Sequence, residues 1–297
     1  MSLFIYKKHC SRCEKDYECT LSKCPSCGEE NENLRGNDAF KNDIHVHPLR
    51  NIFLFLTGLL GLQIIATIIS FFIQRDFLIK FLSENPEASQ AEIATAWKAE
   101  VTANPGINMF VNGLSYAILA VALIAILWTG LKEVAKSFAS LKTIGIGIIG
   151  GVAAIGLSIF LSFITGILRP TTTSNDNQAS IVAITSGGYG LWAIIIFGFV
   201  GPFCEEVTYR IGLFTFLKRL NKTLAYVLTG VIFGLIHFNW GVFQGEGDII
   251  NEFVNLPDYI AAGLLFSYIY DKYGFGASTT EHVFNNVVSL SIVLLGS

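Results

Sequence analysis

The pattern of apolar and polar positions divides the chain near residue 50. From there onward, apolar runs of about 20 residues recur between short polar segments, the length that a helix needs to cross a bilayer. The sequence therefore predicts an all-α polytopic membrane protein with about seven transmembrane helices. Their approximate bounds are 51–73, 108–128, 144–168, 189–217, 224–243, 255–270 and 277–295.

Details of these runs add local predictions. The fourth run is long and contains Gly201-Pro202, which predicts a break in its helix. In the third run, Gly147 and Gly151 are four residues apart, a spacing that allows a second helix to approach closely. The polar stretch 83–103 has the pattern of a capped amphipathic helix.

The composition supports a membrane protein, and the net charge argues against a nucleic-acid-binding protein. Hydrophobic residues make up 52% of the chain and charged residues 14%, against about 25% charged residues in ordinary soluble domains. A net charge of -3 offers no basic field for nucleic acid, so we expect none as a partner. If the N-terminus is cytoplasmic, ten Lys and Arg residues after the N-terminal module lie inside and four outside, which satisfies the positive-inside rule.

The N-terminal segment carries a metal-binding pattern. Cys10 and Cys13 form one CxxC pair and Cys24 and Cys27 a second, with ten residues between the pairs. Two such pairs can supply the four thiolates of a tetrahedral zinc site. Cytosolic thiols stay reduced, which disfavours two disulfides, and four protein ligands leave no open position on the metal. We therefore expect a structural Zn²⁺ in a zinc ribbon at 1–36, a polar linker at 37–50, and a membrane domain at 51–297.

Ionisable and amide side chains lie inside three of the predicted spans. Each ionisable residue costs roughly 2.5 to 3.5 kcal/mol at the centre of a membrane helix, so such residues are candidates for function. At a rise of about 1.5 Å per residue, Glu205, His237 and Asn286 lie at a common depth of about 20 Å from the flanking cytoplasmic lysines. A carboxylate with imidazoles can bind a metal or activate a water, and Asn and His can donate to an oxyanion. The set is Glu205, Glu206, Arg210, His237, His282 and Asn286.

Three motifs place these residues in a known pattern: EExxxR from Glu205 to Arg210, FxxxH from Phe233 to His237, and HxxxN from His282 to Asn286. Over about 180–290 the chain resembles the CPBP intramembrane proteases (CaaX proteases and bacteriocin-processing enzymes, also called Abi), relatives of the type II CaaX prenyl endopeptidases. The N-terminal zinc ribbon is similar to those of many bacterial membrane proteins.

The resemblance implies an intramembrane endopeptidase that acts on a peptide or membrane protein. Glu205 and His282 would hold or activate the water, His237 and Asn286 would stabilise the oxyanion, and Glu206 and Arg210 would support them. A divalent metal held by Glu205, His237 and His282 and a metal-free glutamate mechanism both remain open. We expect the protein to lie in a bacterial cell membrane with a cytoplasmic N-terminus.

Two other interpretations remain open from the residues. Glu206 and Arg210 could be a buried ion pair that only stabilises their helix. The whole chain could also be a non-catalytic membrane immunity or scaffold protein, for instance in bacteriocin self-immunity, that binds a partner through the ribbon or the loops.

Overall fold

The computed structural model describes residues 7–10, 12–18, 23–29, 40–245 and 247–296, and almost all of the regular structure is helical. The prediction of an all-α membrane protein with a small N-terminal ribbon is confirmed. In the ribbon, β1 (Lys7–His9) and β2 (Asp16–Glu18) pair antiparallel, with His9 opposite Asp16. The helices are α1 (Pro48–Glu84), α2 (Gln90–Ala103), α3 (Pro105–Leu127), α4 (Leu131–Ser137), α5 (Leu141–Leu168), α6 (Asp176–Ile184), α7 (Gly190–Ala193), α8 (Gly201–Glu206), α9 (Thr215–Lys218), α10 (Lys222–Leu235), α11 (Ile249–Tyr273) and α12 (Phe275–Gly296).

Every predicted span has a helical counterpart. Four helical segments in the described part of the chain are long and apolar enough to cross a membrane. Three of them are α1, α3 and α5, and the fourth is the continuous stretch Asp176–Lys218, which contains α6 to α9. Of the other three, α10 is shorter, whereas α11 and α12 have 25 and 22 residues but carry more polar side chains.

The stretch Asp176–Lys218 is irregular at places that matter for the site. Two π-helical turns, Ile194–Val200 and Val207–Phe214, flank α8, the helix that carries Glu205 and Glu206. π turns inside α-helices are frequent at functional sites. Here they change the direction in which the side chains before and after α8 point.

The break expected at Gly201-Pro202 lies elsewhere. Gly201 is helical, with φ -57° and ψ -57°. Pro202 has no backbone N–H, but it lies where a π turn changes to α8, so the missing hydrogen bond does not break the helix. The kink is instead at Gly187-Gly188, where Gly188 has φ +92°, a value that a residue with a Cβ rarely adopts.

Close helix packing positions α12. A Cβ at Gly147 would lie 2.6 Å from the Ala277 carbonyl oxygen, and one at Gly151 would lie 2.7 Å from Phe284 Cδ1. Both glycines are therefore needed for the contact between α5 and α12, as their spacing predicts. This contact holds the helix that carries His282 and Asn286.

Two other boundaries differ from the predicted ones. α10 ends at Leu235, and the rest of the span predicted to reach 243 forms a turn and a short 3₁₀ helix, Trp240–Gln244. In the stretch 83–103, α1 continues to Glu84 and α2 begins after Ser89, whose side chain and that of Glu92 form a capping box.

The end of the expected linker packs against the membrane part. We call residues 40–47 the strap. Ile44 and Val46 in it are buried, and Asp43 forms a buried ion pair with Lys218 (2.8 Å). Residues 37–39 lie outside the described residues, and α1 already begins at Pro48. The strap therefore contributes three buried side chains to the core, whereas Lys41, His45 and His47 are exposed.

Candidate active site

Four of the sequence-predicted residues line one cavity. It has a volume of about 1490 Å³, and its wall includes Glu205, His237, His282 and Asn286. They come from α8, from the turn after α10 and from α12, so three separate parts of the chain meet here. The common depth expected from the flanking lysines is consistent with this meeting.

Glu205 and His282 face each other across the cavity wall. Glu205 Oε2 lies 3.8 Å from His282 Nε2 and has no hydrogen-bond partner among the described residues. Glu205 Oε1 accepts a hydrogen bond from the Tyr116 hydroxyl of α3 at 3.3 Å. One carboxylate oxygen is thus held in place and the other is directed at the histidine.

Behind His282 lies a fully buried charge pair. His282 Nδ1 lies 3.1 Å from Glu206 Oε1, and Arg210 Nε lies 3.2 Å from Glu206 Oε2. Ser278 Oγ also donates to Glu206. With Nδ1 donating to a carboxylate, the neutral imidazole carries its lone pair on Nε2, the atom nearest Glu205.

The His282 and Arg210 side chains are also packed between rings. Phe266 stacks on the His282 ring with 4.3 Å between ring centroids and an interplanar angle of 22°. The Arg210 guanidinium lies 5.2 Å from the Phe233 centroid and 5.7 Å from that of Phe266. Such packing fixes the orientation of both groups and lets a cation be buried beside aromatic faces.

His237 is held from three directions. Its Nδ1 lies 2.8 Å from the Phe233 carbonyl oxygen, so this nitrogen donates and Nε2 is left for other partners. The Tyr259 ring of α11 stacks on it at 4.5 Å and 15°. Asn175 Nδ2 donates to the His237 carbonyl oxygen, and the Tyr259 hydroxyl donates to Asn175 Oδ1 at 3.0 Å.

Asn286 has a fixed amide. Its Nδ2 donates to the Phe197 carbonyl oxygen at 2.9 Å, and its Oδ1 accepts from Asn285 Nδ2 at 3.1 Å. These two bonds use the amide oxygen and one N–H. The second N–H remains for a group in the cavity.

Several residues of the site were missed from the sequence. Tyr116 and Ser278 are polar residues in apolar helices, and that is a signal which could have marked them. Asn175 lies just before α6 in a polar segment, and Tyr259 lies two residues after Pro257 of α11, so neither stands out from its neighbours. Their roles depend on the meeting of α10, α11 and this segment.

The four ribbon cysteines form a candidate metal centre. Their sulfur atoms all lie within 4.8 Å of one another, with 3.5 Å between Cys10 and Cys27 and 3.6 Å between Cys13 and Cys24. Tetrahedral zinc with Zn–S bonds of about 2.3 Å requires sulfur atoms about 3.8 Å apart, so the arrangement fits this metal. Burial opposes ionisation of the Cys24 thiol, but backbone N–H groups of Ser26 and Cys27 lower its pKa to about 7, whereas a hydrogen bond to Glu29 and burial raise the pKa of Cys10 to about 12. A metal that binds all four sulfur atoms therefore has to displace the proton of Cys10.

Within the ranges that the structure describes, this is the one such cluster of three or more metal-ligating side chains. Glu205, His237 and His282 do not bring three ligand atoms within the same distance of one another.

Comparison with known proteins identifies the region of the site. Residues 187–288 match the family model described as "Type II CAAX prenyl endopeptidase Rce1-like", so the resemblance seen in the three motifs is confirmed. An uncharacterized protein of Mycoplasma capricolum subsp. capricolum is 27% identical over 148 residues, which cover 47% of this chain. This chain covers 40% of that relative's length. No solved structure matches the chain.

Proposed function

We propose that this membrane protein, with its Rce1-like region at 187–288, is an intramembrane endopeptidase that hydrolyses a peptide bond of a membrane-associated protein or peptide. The observation that carries the proposal is the convergence of Glu205, His237, His282 and Asn286 on one cavity among membrane helices. The matched family supports endopeptidase activity in general. The roles of individual residues below are our proposal.

Glu205 and His282 activate the attacking water. Glu205 Oε2 and His282 Nε2 are 3.8 Å apart, a separation at which one water oxygen can lie within hydrogen-bond distance, about 2.8 Å, of both atoms. Either group can accept its proton as the oxygen attacks the peptide carbonyl carbon. Glu206, itself held by Arg210, keeps the His282 tautomer that presents a lone pair to this water.

Asn286 and His237 stabilise the oxyanion of the tetrahedral intermediate. The remaining N–H of Asn286 donates in any protonation state. His237 uses Nδ1–H for the Phe233 carbonyl oxygen, so its Nε2 donates only when the ring is protonated. Collapse of the intermediate breaks the C–N bond, and the proton held by Glu205 or His282 passes to the leaving amine.

We further propose that the ribbon binds one structural Zn²⁺, that the N-terminus is cytoplasmic, and that the membrane is a bacterial cell membrane. Metal analysis of the purified protein tests the first point. We expect one zinc per chain and none in the variant with Cys10, Cys13, Cys24 and Cys27 replaced by Ser. Metal that persists in this variant and is lost only on replacing Glu205 or His282 would show a metal-dependent site instead.

Cleavage of a complex mixture tests the activity. The purified protein in detergent is incubated with solubilised bacterial membrane proteins, and new termini are identified by mass spectrometry. We expect cleavage by the wild type and its loss, at least about 100-fold, in Glu205→Gln and His282→Ala, because each removes a group that accepts the proton. Asp76→Asn, an exposed carboxylate of α1, is the matched control and should be fully active. Equal cleavage by Glu205→Gln and the wild type would contradict the role of Glu205, and no cleavage by the wild type would favour a non-catalytic binding protein.

A further inference from the structure

The charged side chains in the wall of the active-site cavity are acidic. Its charged side chains, among the described residues, are two carboxylates, Glu205 and Asp258, and it contains no Lys or Arg. Glu205 belongs to the catalytic pair, whereas Asp258 has no part in the steps above. A second carboxylate in this cavity therefore needs another explanation.

Asp258 lies within α11 on the part of the helix expected in the membrane. Its Oδ2 accepts a hydrogen bond from Ser158 Oγ of α5 at 2.8 Å. An Asp inside a membrane helix is costly, and such a residue normally faces a cavity and serves a ligand pathway. A neutral amide could link the two helices equally well, so the negative charge points to a cationic ligand.

Its position relates it to the cleaved bond. The next residue, Tyr259, stacks on the His237 ring with 4.5 Å between centroids. Asp258 is therefore the neighbour of the residue that packs on His237, and all three residues line the same cavity.

We propose that Asp258 is a substrate-binding residue that pairs with a Lys or Arg side chain near the cleaved bond. Ser158 orients the carboxylate from the opposite helix. The inference rests on the proposed endopeptidase function, and it narrows the substrates to peptides with a basic residue near the scissile bond within an otherwise apolar segment.

A binding measurement tests this separately from cleavage. The probe is a fluorescently labelled apolar peptide of about 20 residues with one central Lys, and its twin has norleucine instead. Binding is measured by fluorescence anisotropy on the Glu205→Gln protein in detergent, in which Asp258 is the remaining carboxylate of the described cavity wall. We expect the Lys peptide to bind about tenfold more tightly, the effect of one charge-assisted hydrogen bond.

Three variants, each combined with Glu205→Gln, test whether the charge of Asp258 causes the difference in affinity between the two peptides. Asp258→Asn should reduce the Lys-to-norleucine affinity ratio to about one, because it keeps the shape and removes the charge. Asp76→Asn should keep the ratio, since this carboxylate is exposed on α1. Ser158→Ala should lower the ratio only in part, because the charge remains but the hydrogen bond that orients it is lost. Equal binding of the two peptides, or a ratio that survives Asp258→Asn, would overturn the proposal.

The cleavage sites provide a second test. In the membrane-protein digest, we expect Lys and Arg to be enriched at one fixed position near the cleaved bonds, and Asp258→Lys to replace this preference with one for Asp and Glu. No such enrichment would overturn the inference while leaving the proposed activity intact. If the wild type cleaves no membrane protein, the proposed function is refuted, and the ratio of the two peptide affinities still decides the role of Asp258.

Discussion

Glu206 holds the buried charged and polar side chains behind the cavity together. It is fully buried and contacts Arg210, His282 and Ser278 at once. Arg210 is also fully buried, and its two Nη atoms have no hydrogen-bond partner among the described residues. The Glu206 carboxylate therefore balances a cation that water cannot reach, and it also fixes the ring of His282.

These two effects can be separated by mutation. Glu206→Gln should destabilise the fold by about 3 to 5 kcal/mol, because it leaves the Arg210 charge buried without a partner. The double variant Glu206→Gln, Arg210→Met should recover much of this loss, since a buried ion pair can often be replaced by apolar groups. Thermal unfolding in detergent measures both.

Activity should not return with stability. In the double variant, His282 Nδ1 has lost its charged acceptor, so we expect cleavage to stay at least about tenfold below wild type. A double variant with full activity would show that Glu206 and Arg210 serve only as the stabilising ion pair.

At the scale of the helices, the contact between α5 and α12 fixes the position of the helix that carries His282 and Asn286. Gly151→Leu places a side chain where a Cβ already lies 2.7 Å from Phe284. Gly156→Leu lies on the same helix, where a Cβ meets no atom within 4 Å. We expect Gly151→Leu to cost about 1 to 3 kcal/mol by overpacking and to reduce cleavage, because α12 carries His282 and Asn286.

Gly156→Leu is the matched control, since both variants gain the same helix propensity. It should be at least as stable as wild type and equally active. If the two variants behave alike in thermal unfolding, the close packing at Gly151 does not hold α12.

The start of α11 depends on pH through Asp248. This exposed carboxylate accepts from Arg169 at 2.6 Å and from the backbone N–H groups of Asn251 and Ile250 at the helix N-terminus. The Arg169 hydrogen bond and the two backbone N–H groups hold the pKa of Asp248 below its usual value. The stabilisation is therefore present above a pH of about 4, the ordinary pKa of Asp, and is lost as the pH falls through the lowered value.

We expect the unfolding temperature of the wild type to exceed that of Asp248→Asn at pH 6. The difference should shrink as the pH falls below about 4 and disappear once the carboxylate is protonated in the folded state as well. A difference that stays constant from pH 6 to pH 3 would mean that the charge of Asp248 does not stabilise the start of α11.

The elements and the motif residues could be predicted from the sequence for the same physical reason. In a bilayer, backbone groups must bond within the helix, so apolar runs identify helices, and an ionisable residue such as His282 stands out by its cost. The kink at Gly188 could not be placed, because it depends on a positive φ that the neighbouring residues do not signal. Tyr259 and Asn175 could not be assigned to His237, because tertiary packing alone brings these residues together.

At the scale of the whole molecule, the strap connects the membrane helices on the side where the ribbon is attached. Lys218 is buried between Asp43 of the strap and Asp271 of α11, with 2.8 Å to each. The Ile44 N–H donates to the Tyr270 hydroxyl, which also contacts Thr215 Oγ1. The strap thus contacts α11 and α9, the helix that follows Glu205 and Glu206 by one π turn.

Two truncations separate the ribbon from the strap. A chain of residues 38–297 keeps Asp43, Ile44 and Val46, whereas a chain of residues 48–297 removes them. The ribbon residues Cys10, Tyr17 and Cys24 form a small core of their own, apart from the core of the membrane helices. We therefore expect the longer chain to unfold at the wild-type temperature and to cleave normally.

The shorter chain should be less stable by about 3 kcal/mol or more, because it exposes the sites of two buried apolar side chains and leaves Lys218 with a single carboxylate. Its cleavage should fall with its stability, since α9 and α11 lose the group that joins them. Equal stability of the two chains would show that the strap adds nothing to the core. A well-folded 38–297 chain without activity would show that the ribbon itself takes part in catalysis, which the separate cores argue against.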